Sequence, residues 1–183
     1  MDARQRDLID HLHRAHDTLL WKLDGLDEYD VRRPLAPTGT NLLGLVKHTA
    51  ATTVGYFGLV FDRPFAEPLE WMFGDDAEDN ADMFATADES RDDVLAFDAR
   101  CWAHVDATLA VLDLDSPGRV PWWPGERGEV TLRQVMVHVV FEFQRGVPPQ
   151  RVRRRHRGVG ISPPAFRPTG PDLQLTKYPA LRP

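Results

Sequence analysis

His138 and Glu142 stand four residues apart in TLRQVMVHVVFEFQR. On a helix that spacing puts both side chains on one face. His48 lies in LLGLVKHTAATTVGYFGLVF, the most apolar stretch of the chain, with Gly44, Leu45, Ala51 and Thr52 one turn away. Helical bundles build metal sites from such parts, an imidazole on one helix and an i,i+4 pair on another. Imidazole and carboxylate donors suit zinc, nickel, iron or manganese. The same spacing is met if each histidine simply makes one buried hydrogen bond, so spacing alone leaves both readings open. No residue stands out as a catalytic nucleophile or base. Five further histidines complete the set of seven. His11 and His13, two residues apart, cannot share a helix face. Together with His16 and His104 they read as solvated surface, and His156 has no partner nearby in sequence.

The elements that must hold these residues read as four helices. Apolar residues at Leu8, Leu12, Ala15, Leu19, Leu20 and Leu23 predict a first helix over about 3–26. Pro34, Pro37 and Gly39 predict a loop over 30–40. Thr40 or Asn41 is placed to cap a second helix over 42–61, apolar on most of its circumference and therefore central. Residues 62–88, with two prolines and five acids between Asp75 and Asp82, predict a long loop with at most short helical turns. Ser90 can cap a third helix to about Leu112, and Thr131 opens a fourth that ends at Arg145. Between these last two lies a loop over 113–129 containing Trp122 and Trp123. No strand pattern competes. The expectation is an all-α, four-helix, up-down bundle variant over 3–145.

After Arg145 the physical regime changes. Residues 1–144 carry 13 basic and 27 acidic side chains, a balance of −14; residues 145–183 carry nine basic and one acidic, a balance of +8. Eight of the 15 prolines fall in that second stretch. Residues 146–183 therefore predict an irregular basic tail with no fixed fold. The acidic body would repel nucleic acid, and the tail's run from Arg151 to Arg157 lacks the interleaved aromatics of a nucleic-acid surface, so nucleic acid is not expected as a partner. A single cysteine, Cys101, excludes an intrachain disulfide. No apolar run is long enough to span a bilayer and the first residues lack a leader-like apolar core, so a cytoplasmic location without membrane attachment is expected.

The segments TGTNLLGLVKHTA (38–50) and WWPGERGEVTLRQVMVHVVFEFQR (122–145) resemble the DinB-like superfamily, and most its actinobacterial branch. The resemblance covers about residues 3–145. It implies a four-helix bundle, often dimeric, that binds a divalent metal through one histidine on the second helix and an i,i+4 pair on a later one. It also implies kinship with transferases and isomerases that use bacillithiol, mycothiol or glutathione. By position His48 matches the first ligand and Glu142 the first member of the pair. The second member should be a histidine at position 146, which is glycine here, and Pro148 and Pro149 stop the helix that should continue. His138, one turn before Glu142, is a substitute ligand or a supporting group. With the third ligand missing, metal should bind weakly.

Nineteen arginines against three lysines point to a GC-rich coding sequence, and such DNA read out of frame tends to yield Arg, Pro and Gly. That composition predicts a frameshift near codons 143–147; the alternative is a genuine divergent tail whose arginines bind phosphate. Functionally, the expectation is a metal-dependent, mycothiol-type transferase or isomerase acting on a small electrophile, impaired by the lost ligand. Trp122 and Trp123 would line its cofactor pocket, or equally serve as core or lid packing. The alternative is a non-catalytic, degenerate bundle or a small-ligand binding protein.

Overall fold

A computed structural model describes residues 2–145 apart from 75, 76 and 78. The expectations for 146–183, including the missing imidazole at Gly146 and the irregular tail, lie outside the described residues. The chain is all-α as expected, with four long helices. They are α1 (Ala3–Trp21), α3 (Leu42–Phe57), α5 (Arg91–Leu109) and α6 (Leu132–Arg145); two short helices, α2 (Glu28–Arg32) and α4 (Glu70–Phe73), lie in the connections.

Side-chain oxygens set the helix starts. Asp2 accepts from the Gln5 backbone N–H at 2.8 Å. Of the two candidate caps before α3, Asn41 takes the role, accepting from Gly44 N–H at 2.7 Å. Ser90 and Asp93 form a reciprocal capping box at α5. Thr131 and Gln134 exchange similar bonds ahead of α6. Helix ends differ from the sequence reading by a few residues. The second long helix stops at Phe57 rather than Phe61, because the chain passes through Gly58 into a 3-10 turn over Leu59–Phe61.

Helix α3 is the centre of the molecule. All of its residues except His48 and Thr52 are buried. Its buried residues belong to one core cluster with Leu12 and Leu19 of α1, Val94 and Val105 of α5, and Leu132 and Met136 of α6. Burying side chains of this size contributes about 1.5–3 kcal/mol each, which offsets the entropy of ordering the loops.

Helix directions correct the up-down expectation. Gln5 at the start of α1 donates to the Leu109 and Leu112 carbonyls at the end of α5, so these two helices are antiparallel. Lys47 near the start of α3 meets Glu89 just before α5, and Gly58 at the end of α3 lies against His104 late in α5. Helices α3 and α5 therefore run the same way, and residues 58–90 form the crossover that such a pair needs.

A second correction concerns strands. Two are present, β1 (Pro117–Arg119) and β2 (Glu129–Thr131), paired antiparallel with Gly118 opposite Val130. Each is three residues long, too short for a periodic signal in the sequence. A Cβ at Gly118 would sit 2.6 Å from a Phe61 ring carbon, so glycine lets this ribbon lie close on the 3-10 turn that follows α3. The ribbon brackets Trp122 and Trp123 and delivers the chain to α6.

Candidate functional site

His48 projects from the one stripe of α3 that is not buried. Its Nδ1 lies 2.5 Å from Asp82 Oδ2, with 27% of the His48 side chain and 18% of the Asp82 side chain exposed. Burial alone would raise the Asp82 carboxyl; the His48 hydrogen bond and the charges of His48 and Lys47 outweigh it and hold the group below the ordinary carboxylate range. A carboxylate facing Nδ1 favours the tautomer with the proton there, which leaves the Nε2 lone pair as the outward donor. Nε2 makes no hydrogen bond among the described residues.

Asp82 is delivered by several contacts that tie residues 81–89 to α3. Asn41 N–H donates to the Met83 carbonyl at 3.1 Å, and Asn41 Oδ1 accepts from Ala85 N–H at 3.3 Å. The buried Lys47 ammonium donates to the Ala81 carbonyl at 3.1 Å, pairs with Glu89 at 2.6 Å and sits 4.5 Å over the Trp71 ring. Gly44 makes the approach possible: a Cβ there would collide with the Met83 carbonyl and the Phe84 backbone. Burial raises the Glu89 carboxyl, yet its bonds to Lys47 and to Thr86 N–H hold it below its ordinary value.

The second group of candidates sits two turns further along α3. His138 Nε2 is 2.8 Å from the Tyr56 hydroxyl and 3.9 Å from Glu142 Oε1. The i,i+4 pair thus shares a face as its spacing predicts, but the nearer partner of His138 is a tyrosine that sequence reasoning did not select. Trp122 meets Tyr56 edge to face at 5.2 Å, and Trp123 meets His138 edge to face at 4.9 Å. Both tryptophans therefore pack on the Tyr56–His138 pair. Tyr56 near the end of α3 touches His138 midway along α6, and the ribbon that leads into α6 lies against Val60 and Phe61 just past the end of α3, so α3 and α6 run in opposite directions.

His48 bonds to Asp82 and not to His138 or Glu142. Among the described residues no group of three His, Cys, Asp or Glu side chains is placed to share a metal ion.

Of the four histidines read as solvated surface, His16 departs from that reading. It is buried in α1, bonds Asp98 Oδ2 of α5 at 2.8 Å, and stacks on Trp102 at 4.1 Å. The signal was weak: His16 falls on the Leu12–Leu19 stripe, and Asp98 and Trp102 are four apart on α5. His13 pairs with Asp106 at 3.0 Å at the surface, and His11 stays exposed. His104 is half-buried and donates to the Arg63 carbonyl at 2.8 Å. Cys101 is buried and unbridged, and burial together with Asp98 pushes its thiol well above the ordinary range, which makes it an unreactive core residue.

No helix of the described residues is long and apolar enough to cross a membrane. No curated protein and no solved structure matches the chain. The model of the mycothiol-S-transferase family, a DinB-like family, matches residues 7–146, more than half of the chain. The chain belongs to the mycothiol-S-transferase family.

Proposed function

We propose that this chain is a thiol transferase that joins mycothiol to a small electrophile, with a divalent metal held at His48. The observation that carries the reading is His48 itself: a partly exposed imidazole on a mostly buried helix, with a carboxylate fixing Nδ1 and Nε2 left as donor. Donor chemistry fits zinc, nickel, iron or manganese, with Glu142 as carboxylate ligand and His138 as substitute ligand or support. The antiparallel run of α3 and α6 supports a shared site. Counting back eight residues from Tyr56 to His48 moves about 12 Å along α3, and counting on four from His138 to Glu142 moves about 6 Å the same way along α6. With glycine at 146, where the resemblance expects a histidine, the ligand set is incomplete and metal is weakly held.

When bound, the metal would favour the thiolate form of mycothiol. The thiol would give its proton to solvent water, sulfur attacks the electrophilic carbon, and the C–S bond forms as the leaving group departs with its bonding pair. Asp82 keeps the His48 donor aimed, and the Trp122–Trp123 loop shields the Tyr56–His138 side from water.

A second reading, a non-catalytic relative, is favoured by the absence of a three-donor cluster among the described residues. The transferase domain occupies 3–145, and the basic tail of 146–183 is a separate segment produced by a frameshift. Family matching that ends at residue 146 agrees with that boundary. Sequencing the gene tests this part: a shifted frame that continues α6 with a histidine at 146 supports it, and no such frame refutes it.

The activity test is consumption of mycothiol thiol in the presence of an alkylating electrophile and added zinc. The full chain should exceed the buffer rate by a small factor, and His48→Ala should fall back to it. Equal rates in the two proteins would remove His48 from the mechanism.

A further inference from the structure

Past His48 and Thr52, steps of three and four along the chain reach the buried Gly55 and, in the 3-10 turn after α3, Leu59. Both line a cavity of about 370 Å³ between the end of α3 and the crossover segment. Val54 completes its α3 side, and Phe65 and Leu69 face it from the crossover. The volume lies in the range of small-molecule sites. Gly55 stands about 10 Å along the axis from His48. Between them the Thr52 hydroxyl oxygen is buried and has no hydrogen-bond partner among the described residues.

Charge narrows what the cavity can take. Its described lining includes two carboxylates, Glu67 and Glu70, and no cation. Arg100 grips Glu67 with two bonds, at 2.5 and 3.0 Å, and so neutralises it. Glu70, exposed at the wall, has no cationic partner among the described residues and disfavours anions there.

We propose that this cavity is the acceptor-substrate pocket, and that it takes an uncharged, mainly apolar small electrophile and rejects carboxylate- or sulfonate-bearing ones. The bound molecule would lie along the stripe, its apolar part at Gly55 and Leu59 and its reacting end toward Thr52 and His48. This inference rests on the transferase reading for the word electrophile, but the pocket and its charge preference stand on the cavity alone.

The test is a pair of dyes that share one skeleton, neutral N-phenyl-1-naphthylamine and its anionic sulfonate, 1-anilinonaphthalene-8-sulfonate. Both are titrated into the full chain by fluorescence without metal or thiol. The neutral dye should bind one per chain, with the sulfonate weaker by about tenfold or more. Gly55→Leu should fill the cavity and cut neutral-dye affinity by about tenfold. A Cβ at Gly55 meets only a Trp122 ring carbon at 3.8 Å, an ordinary contact, so the fold should tolerate the change. Leu59→Asp, at an exposed position, supplies a second variant with the same expected loss. Glu70→Gln should bring sulfonate binding closer to that of the neutral dye. Equal affinity for the two dyes, no binding of the neutral one, or neutral-dye binding unaffected in folded Gly55→Leu and Leu59→Asp would each overturn the pocket. Because metal and thiol are absent, such a failure leaves the transferase reading untouched. Dye binding as expected together with no thiol transfer would sink that reading and leave the pocket standing.

Discussion

Gly44 shows how a residue without a side chain can decide a site. Its missing Cβ lets the Met83–Phe84 backbone rest on α3, and that contact carries Asp82 to His48. Gly44→Ala forces overpacking of backbone on backbone, with an expected loss of about 1–3 kcal/mol. Thermal unfolding should show the loss. The His48 Nδ1 proton resonance should move or broaden in the same variant, because the carboxylate retreats; a variant that melts like the parent and keeps the resonance would refute the argument. Lys47 and Glu89 supply a pH signature for the same loop. The folded Glu89 carboxyl lies below its ordinary value, so its stabilisation is complete above the unfolded value of about 4.3 and is lost as pH falls through the folded one. The stability gap between the parent and Glu89→Gln should therefore be constant from neutral pH down to mild acid and close below about pH 4. A gap that persists unchanged in strong acid contradicts this. Residue type and spacing singled out His48, His138 and Glu142 as candidates and put the last two on one face, whereas Asp82, the residue that meets His48, was not singled out. It sits among five acids between positions 75 and 82, and nothing in a local pattern distinguishes the one that a distant helix will meet.

At the level of elements, α1 and α5 are locked by a polar pair inside an apolar seam. His16 and Asp98 are buried and bonded at 2.8 Å, with Trp102 stacked on the imidazole. Asp98 Oδ1 already lacks a hydrogen-bond partner among the described residues. His16→Ala would strip the carboxylate of its one hydrogen bond among the described residues, and breaking a buried pair from one side costs about 3–5 kcal/mol. Denaturant unfolding should show a loss of that size, and a loss below about 1 kcal/mol would mean the pair is solvated rather than buried. The long helices were legible because each stripe repeats over several turns and the starts of α3, α5 and α6 carry an Asn, Ser or Thr signal. Helix α2 was missed because five residues give barely one turn of pattern, and β1 and β2 because three residues give no alternation. The parallel run of α3 and α5 was equally hidden: the length of 58–90 permits a crossover but does not demand one.

For the whole molecule, the account joins a buried central helix with one open stripe to a family that transfers mycothiol. His48 is the residue where the stripe, the Asp82 carboxylate and the ligand position implied by the DinB-like resemblance coincide. Zinc titration by calorimetry on protein prepared without a His tag tests this most directly. The full chain should take up one ion with weak affinity, Asp82→Ala should weaken it by a further factor of about 10–100, and His48→Ala should abolish it. One ion bound with unchanged affinity by His48→Ala, or no uptake by the parent at all, would contradict the account.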